Sequence, residues 1–348
     1  MVLDRMTDYG HEAVTYVSDP ETGLQAIVAV HDTTLGPALG GTRMLPYDTE
    51  ADALQDVLRL SKAMTYKAAA ADLDLGGGKA VIVGDPEQKT AEMMAAYGQA
   101  VDALGGRYIT SVDINTGVED LDVIADHTDH VVGVSDGLGD PSPVTAYGVF
   151  RGVEETARYE LDRPVSELSV TIQGIGKVGT GLAERLLERG ADVTVSDVDT
   201  DQLESFADEY GVATVAPEDV YAEPCDVFAP CAIGGVLNDD TIPQLNCEIV
   251  AGGANNVLKR RDHAEMLQDR GIRYAPDYVI NAGGLITVHT EHVDGTIEDA
   301  FEKADAIGDR LIELYERADD RGVTPLQAAR EYAEERLERG RDPLATPA

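Results

Sequence analysis

A two-domain α/β fold is predicted by three features: the length of the chain, a glycine-rich turn set between a strand pattern and a helix pattern, and a change in the order of elements near the middle. The 348 residues exceed what a single core usually serves, so two domains with a cleft between them are expected. Hydrophobic residues make up 43% of the chain, which suits a globular protein.

Segments 12–17 and 24–30 alternate in strand fashion, whereas 50–69 carries apolar residues at helical spacing, so the first third mixes strands with long helices. Gly137, Gly139, Pro141 and Pro143 cluster within 133–144 and mark a boundary or hinge. Beyond it, strand candidates at 168–173, 192–196, 225–229 and 248–251 alternate with helical patterns, which implies a parallel sheet with helices on both faces. Thr324-Pro-Leu-Gln327 reads as a capped helix start, with a stop at Gly340 and a frayed tail over 341–348.

The formal net charge of -38 excludes nucleic acid and anionic membrane as partners, because phosphate binding needs a basic face. Two readings of that charge stay open: a halophilic protein that works at high salt, where the Debye length falls to about 3 Å at 1 M, or an ordinary acidic cytosolic enzyme. No basic segment leads into an apolar run near the N-terminus and no span is long enough for a membrane helix, so a soluble, cytoplasmic protein is expected. Cys225, Cys231 and Cys247 are too few and too irregular for a disulfide scaffold or a zinc site, and read as small buried apolar residues. The pairs His127 with His130 and His289 with His292 read as structural or exposed, and no metal is expected.

Leu168-Ser-Val-Thr-Ile-Gln-Gly174-Ile-Gly176-Lys-Val-Gly179 sets G-x-G-x-x-G directly after an apolar, β-branched strand. Gly174 allows the tight turn, Gly176 lets backbone approach a pyrophosphate, and Gly179 permits close packing of the next helix. Ile175, Lys177 and Val178 complete the turn, and the helix N-terminus favours phosphate. Asp197 ends the following strand about twenty residues on, placed to accept from ribose hydroxyls and to repel a 2′-phosphate. No Arg or Lys occurs in Val198-Asp-Thr-Asp-Gln202, so NAD is expected over NADP. The alternative is a plain turn with an exposed Asp; strand, turn, helix, strand and acid in succession speak against it.

Lysine is scarce, and Lys67 and Lys79 bracket Ala68-Ala-Ala-Ala-Asp-Leu-Asp-Leu-Gly-Gly-Gly78, a small and apolar stretch. Burial beside a second cation would lower a lysine pKa and free a neutral amine as general base. The other reading is a pair of solvated helix-face charges. Asp113, in Tyr108-Ile-Thr-Ser-Val-Asp113-Ile-Asn, is either exposed at a strand end or a buried, paired catalytic acid.

At this point longer motifs carry a resemblance. Pro37-Ala-Leu-Gly-Gly-Thr-Arg-Met44, Met64-Thr-Tyr-Lys67 through Leu73-Asp-Leu-Gly-Gly-Gly-Lys79, Pro141-Ser-Pro-Val-Thr-Ala-Tyr-Gly148, Asp226-Val-Phe-Ala-Pro-Cys-Ala232, Gly252-Gly-Ala-Asn-Asn256 and Ala275-Pro-Asp-Tyr-Val-Ile-Asn-Ala-Gly-Gly284 occur in that order. Over nearly its whole length the chain resembles the leucine, phenylalanine, valine and glutamate dehydrogenase family, and the leucine branch most closely. The resemblance implies that Lys67 binds the substrate carboxylate, Lys79 is the low-pKa base that activates water, and Asp113 shuttles a proton to and from the amino group. It implies that Thr145 and Asn255 contact the nicotinamide end and that Asn281 aligns substrate or cofactor. The chain departs from the leucine pattern at Val112, in place of an acid, and at Asn115, in place of a glycine, which alters the surroundings of Asp113.

Glutamate enzymes of the family are similar around Gly40-Gly41 but use a lysine where Leu39 stands and a serine where Val288 stands. A carboxylate without those partners would be penalised in an apolar pocket. Leu39, Met64, Leu285 and Val288 thus point to leucine, valine, isoleucine or phenylalanine, which differ by only about 1–3 kcal/mol in such a pocket. The implied reaction is reversible, NAD-dependent oxidative deamination to a 2-oxo acid and ammonium in a closing interdomain cleft. The resemblance further implies a homo-oligomer. It implies a substrate, catalytic and oligomerisation domain over 1–138 plus about 310–348, the C-terminal helices after about 305 returning to it, and a Rossmann-type NAD-binding domain over 139–309. Two rivals remain: a glutamate dehydrogenase with an unusual pocket, and a catalytically silent NAD-binding protein, against which the presence of Lys67, Lys79 and Asp113 speaks.

Overall fold

The computed structural model describes residues 1–341. Contacts divide it into two units, one of Met1–Asp140, Val288–Thr296 and 333–341, the other of Pro141–Thr287 and Ile297–Tyr332.

The first unit runs α1 (Val2–Tyr9), β1 (Ala13–Asp19), β2 (Leu24–Asp32), β3 (Ala38–Leu45), α2 (Glu50–Ala70), β4 (Gly76–Val83), α3 (Ala91–Asp102), β5 (Tyr108–Ser111) and α4 (Val118–Ala125). Its five strands lie in the order β1-β2-β4-β3-β5, with β1 and β2 antiparallel to their neighbours and β3 parallel to β4 and β5. Both faces of this sheet are covered, which is why β2 is nearly continuously apolar. Ala26, Val28, Val30, Ala80 and Ile82 pack with Met94 and Tyr97 of α3 and with Leu121 and Ile124 of α4. The alternate residues Ile27, Ala29 and Val81 face Leu54, Val57 and Leu58 of α2. Each of those α2 side chains stabilises the contact by about 1.5–3 kcal/mol. Thr49 caps α2 by accepting from the Asp52 amide.

The second unit runs α5 (Ser142–Leu161), β6 (Ser169–Gln173), α6 (Lys177–Glu188), β7 (Asp192–Ser196), α7 (Thr200–Tyr210), β8 (Ala213–Thr214), β9 (Val227–Pro230), β10 (Ile249–Val250), α8 (His263–Asp269), β11 (Arg273–Tyr274) and α9 (Asp277–Ile280). Three further helices follow: α10 (Gly283–His292), α11 (Ile297–Arg321) and α12 (Pro325–Arg341). The sheet is fully parallel, in the order β11-β10-β9-β6-β7-β8. Its order reverses beside β6, so the end of β6 is a topological switch point. The division between units falls inside α10 and inside α12.

Several sequence expectations need correction. Helix α11 belongs to the second unit, whereas a return to the first was expected from about 305. The reason is its seat along α5, where a Cβ on Gly148 would meet Ile307 at 2.5 Å and one on Gly308 would meet Glu155 at 2.5 Å. The return comes at Ala333, whose side chain is buried with Leu337 and Ala69. There Arg336 donates to the carbonyls of Ala68, Ala69 and Leu73, Tyr66 bonds Glu334, and Arg341 pairs with Asp32. Thr324 caps α12 as expected, but the helix continues through Gly340, whose missing Cβ admits Thr34. Strand β9 begins two residues later than expected, because the Asp226 carboxylate takes the Ser169 amide and hydroxyl. The cysteines are half-buried, free thiols. The tail beyond 341 lies outside the described residues. Among the described residues no cluster of three or more potential metal ligands occurs, and no helix is long and apolar enough to cross a membrane.

Candidate active site

The alternation that buries Val81 against α2 also turns Lys79 to that side of the sheet. The same period on β3 places Leu39, Gly41 and Arg43 on the face that looks toward α2. Lys79 therefore stands on a strand, not on a solvated helix face, and its side chain is 9% exposed. Its Nζ lies 2.5 Å from Oδ2 of Asp113, a carboxylate just past the end of β5.

The backbone around this pair leaves no room for side chains. A Cβ on Gly40 would sit 1.8 Å from the Gly78 carbonyl, one on Gly41 would meet the Val112 carbonyl at 2.1 Å, and one on Gly77 would meet Thr65 of α2 at 2.1 Å. Glycine is required at each of these close approaches between β3, β4, α2 and the segment after β5. Thr116 completes the turn, donating to the Thr42 carbonyl and accepting from the Asp113 amide.

Burial is the largest influence on Lys79 and pulls its pKa below the ordinary lysine value, with Arg43 adding to the effect and the Asp113 carboxylate opposing it. Burial alone would raise Asp113; Lys79 and Arg43 outweigh it and hold the carboxyl below its usual range. The cation pressing on Lys79 is Arg43, which sequence reasoning missed. Nothing in the spacing of the chain announces that contact: Arg43 Nε lies 2.9 Å from Asp113 Oδ2, and Nη1 lies 3.0 Å from Asp56 Oδ2 on α2.

Lys67 occupies the last turn of α2, half-buried, with Met64 one turn before it. Leu39 is buried in β3 and Val288 is half-buried in the part of α10 that belongs to the first unit. Leu285, also buried, belongs to the second unit. Asn115 takes φ 61°, a left-handed conformation that favours glycine, and its side-chain amide donates to the Met44 carbonyl.

In the second unit the turn after β6 fits a dinucleotide. Gly174 has φ 95° and a Cβ there would strike Ala232; a Cβ on Gly179 would lie 1.9 Å from the Gly174 carbonyl; above Gly176 there is open space. Gly176 caps α6 without a side-chain bond, which leaves amides at the helix start for a phosphate. Lys177 is exposed and Val178 half-buried in the first turn of α6. Asp197 Oδ2 accepts from the Ile175 amide at 2.8 Å, so the acid stands beside the turn, and Gln202 donates to the Ile175 carbonyl. Asn255 is exposed and accepts from Asn281, which also donates to the Gly253 and Ala254 carbonyls. Thr145 is buried where Gly283 and Gly284 bring α10 against α5.

Comparison with known proteins agrees with this geometry. Residues 11–130 match the Glu/Leu/Phe/Val dehydrogenase dimerisation domain, and 136–201 with 197–337 match the Glutamate/Leucine/Phenylalanine/Valine dehydrogenase family. The chain is 46% identical over 341 residues to a leucine dehydrogenase of Bacillus subtilis, covering 97% of this chain and 94% of that one. It is 47% identical over 339 residues to a phenylalanine dehydrogenase of Caldalkalibacillus thermarum, covering 94% and 92%. The crystal structure of an L-tryptophan dehydrogenase from Nostoc punctiforme superposes with a TM-score of 0.89 at 42% identity, covering 98% of this chain and all of that one. The chain thus belongs to the glutamate, leucine, phenylalanine and valine dehydrogenase family and is an NAD-dependent amino-acid dehydrogenase.

Proposed function

We propose that the protein oxidatively deaminates small apolar L-amino acids, leucine, valine and isoleucine first and phenylalanine next, with Lys79 as general base and Asp113 as proton carrier. One observation carries the reading: Lys79 and Asp113 form a largely buried ion pair at 2.5 Å, in a setting that lowers the lysine pKa.

Gly174, Ile175, Gly176, Lys177, Val178 and Gly179 would hold the pyrophosphate and Asp197 the ribose hydroxyls. Thr145 and Asn255, with Asn281 behind it, would receive the nicotinamide end. NAD, when bound, accepts the α-hydrogen of the amino acid as hydride. Lys67 binds the substrate carboxylate, and Leu39, Gly40, Met64, Leu285 and Val288 receive the side chain. The neutral amine of Lys79 takes a proton from water as that water adds to the imine carbon. Asp113, having taken a proton from the substrate's ammonium group before hydride transfer, returns it to the nitrogen of the water adduct. As the C–N bond breaks, the hydroxyl proton goes to the departing ammonia, leaving a 2-oxo acid and ammonium. An apolar surround without a lysine at Leu39 supports an apolar substrate over glutamate.

The surplus of 65 acidic over 27 basic residues supports a halophilic protein of the cytoplasm, and the match of 11–130 to a dimerisation domain supports a homo-oligomer. The test is a panel of apolar L-amino acids with L-glutamate, assayed at high salt by NADH absorbance. Lys79→Ala is expected to lower kcat at least about 10²-fold. Turnover near the parent's in that variant, or a preference for glutamate, would overturn the proposal.

A further inference from the structure

Two cations converge on one oxygen of Asp113. Lys79 Nζ at 2.5 Å and Arg43 Nε at 2.9 Å both have Oδ2 as their nearest Asp113 oxygen. Arg43 is itself held at its far end: Asp56 Oδ2 takes Nη1 at 3.0 Å and the Tyr47 hydroxyl at 2.8 Å, while Asp56 Oδ1 takes Arg59 at 2.9 Å. The side chains of Arg43, Asp56 and Asp113 are 14%, 18% and 18% exposed, so these contacts are only weakly screened. A guanidinium fixed at both ends by carboxylates has little freedom to leave Oδ2.

We propose that Arg43, anchored by Asp56, is a positioning residue of the deamination: it shares Oδ2 with Lys79, reserves Oδ1 as the oxygen that exchanges the substrate's amino proton, and sets the pH at which Lys79 becomes a neutral base. The proposal rests on the reading of Lys79 as that base.

The charges around Lys79 make the sign definite. Arg43 faces it from β3, Asp113 from the segment after β5, and Asp56 from α2, whose last turn carries Lys67. Across β2 the residue paired with Lys79 is Ala29, and the ionisable groups further along that strand are engaged elsewhere, His31 with Thr65 and Asp32 with Arg341. The positive Arg43 disfavours the ammonium form of Lys79, and the negative Asp56 favours it. Removing the first must therefore raise the lysine pKa, and removing the second must lower it.

The experiment is the pH profile of kcat/KM for L-leucine deamination by the full-length enzyme, which reports groups of the free enzyme, with the substrate's own titration common to all variants. In Arg43→Met the ascending limb is expected to move up by about one pH unit, so that activity below the limb falls about 10-fold and returns on raising the pH. In Asp56→Asn the limb is expected to move down by about half a unit. Loosened packing would lower the rate at every pH and shift neither. If Arg43→Met does not fold, Arg43→Lys keeps the charge and is expected to hold the parent's limb with a lower kcat, and Asp56→Asn still gives the opposite shift. Limbs that stay put, or that move the same way in both variants, overturn the proposal. Should they stay put while Lys79→Ala is inactive, only the role of Arg43 fails; an active Lys79→Ala fails the reading beneath it.

Discussion

Asn115 illustrates how one residue can keep a backbone that usually asks for glycine. Its φ of 61° is accessible to Asn at modest strain, and its side chain recovers energy by donating to Met44. Lys89 then binds both the Asn115 carbonyl and Asp120, closing the loop that carries Asp113. Asn115→Ala is expected to cost about 1–2 kcal/mol in chemical unfolding, from left-handed strain and one lost hydrogen bond; Asn115→Gly should cost less. Equal costs would mean that the side-chain bond, and not the backbone angle, decides. At this scale Lys79 and Asp113 were legible as candidates because ionisable groups stood in apolar runs. Their pairing was not, since it joins residues on separate strands, and Arg43 carried no local signal beyond its place after Gly40 and Gly41.

Whole elements were easier to read where their patterns were long. Helix α2 follows from helical spacing and β6 through β7 from the glycine turn, whereas β2, expected to alternate, is apolar on both faces because both are covered. The two-residue strands β8 and β11 are too short to show a period, and α11 shows an amphipathic face without saying which partner it meets. The turn over 133–138 is held by two helix residues, Asp122 of α4, which accepts the Ser135 amide at 2.8 Å, and Glu291 of α10. Glu291 of α10 accepts the amides of Gly133 at 2.6 Å and Leu138 at 3.0 Å, and a Cβ on Gly137 would collide with its carboxylate. Glu291→Ala strips both amides of an acceptor and is expected to destabilise that segment by about 1–3 kcal/mol. Faster hydrogen exchange at Gly133 and Leu138, with β2 unchanged, is the measurement; protection equal to the parent's would show that the clamp is dispensable.

For the whole molecule, charge sets the sign of the salt response. Added salt weakens ion pairs and repulsion alike, but exposed pairs such as Arg260 with Asp239 contribute little. Repulsion within a chain of net charge -38 is the larger quantity. Shortening the Debye length from about 10 Å at 0.1 M to about 3 Å at 1 M is therefore expected to raise the melting temperature by several degrees. A melting temperature that is flat or falling with KCl would remove the high-salt proposal. Composition made this legible at once, because a total charge needs no knowledge of contacts.

The late return of the chain at Ala333 bears on how the protein is made. On the ribosome the sheet of the first unit emerges early, yet Leu35, Tyr66 and Ala69 gain their last neighbours, and Asp32 its guanidinium, only from the final stretch to be translated. The end of α2 and the loop before β3 must wait, partly uncovered, while about two hundred residues of other structure are synthesised at roughly 5–20 residues per second. An amino-terminal fragment ended anywhere before α12 is thus an unfinished piece, however complete its strands.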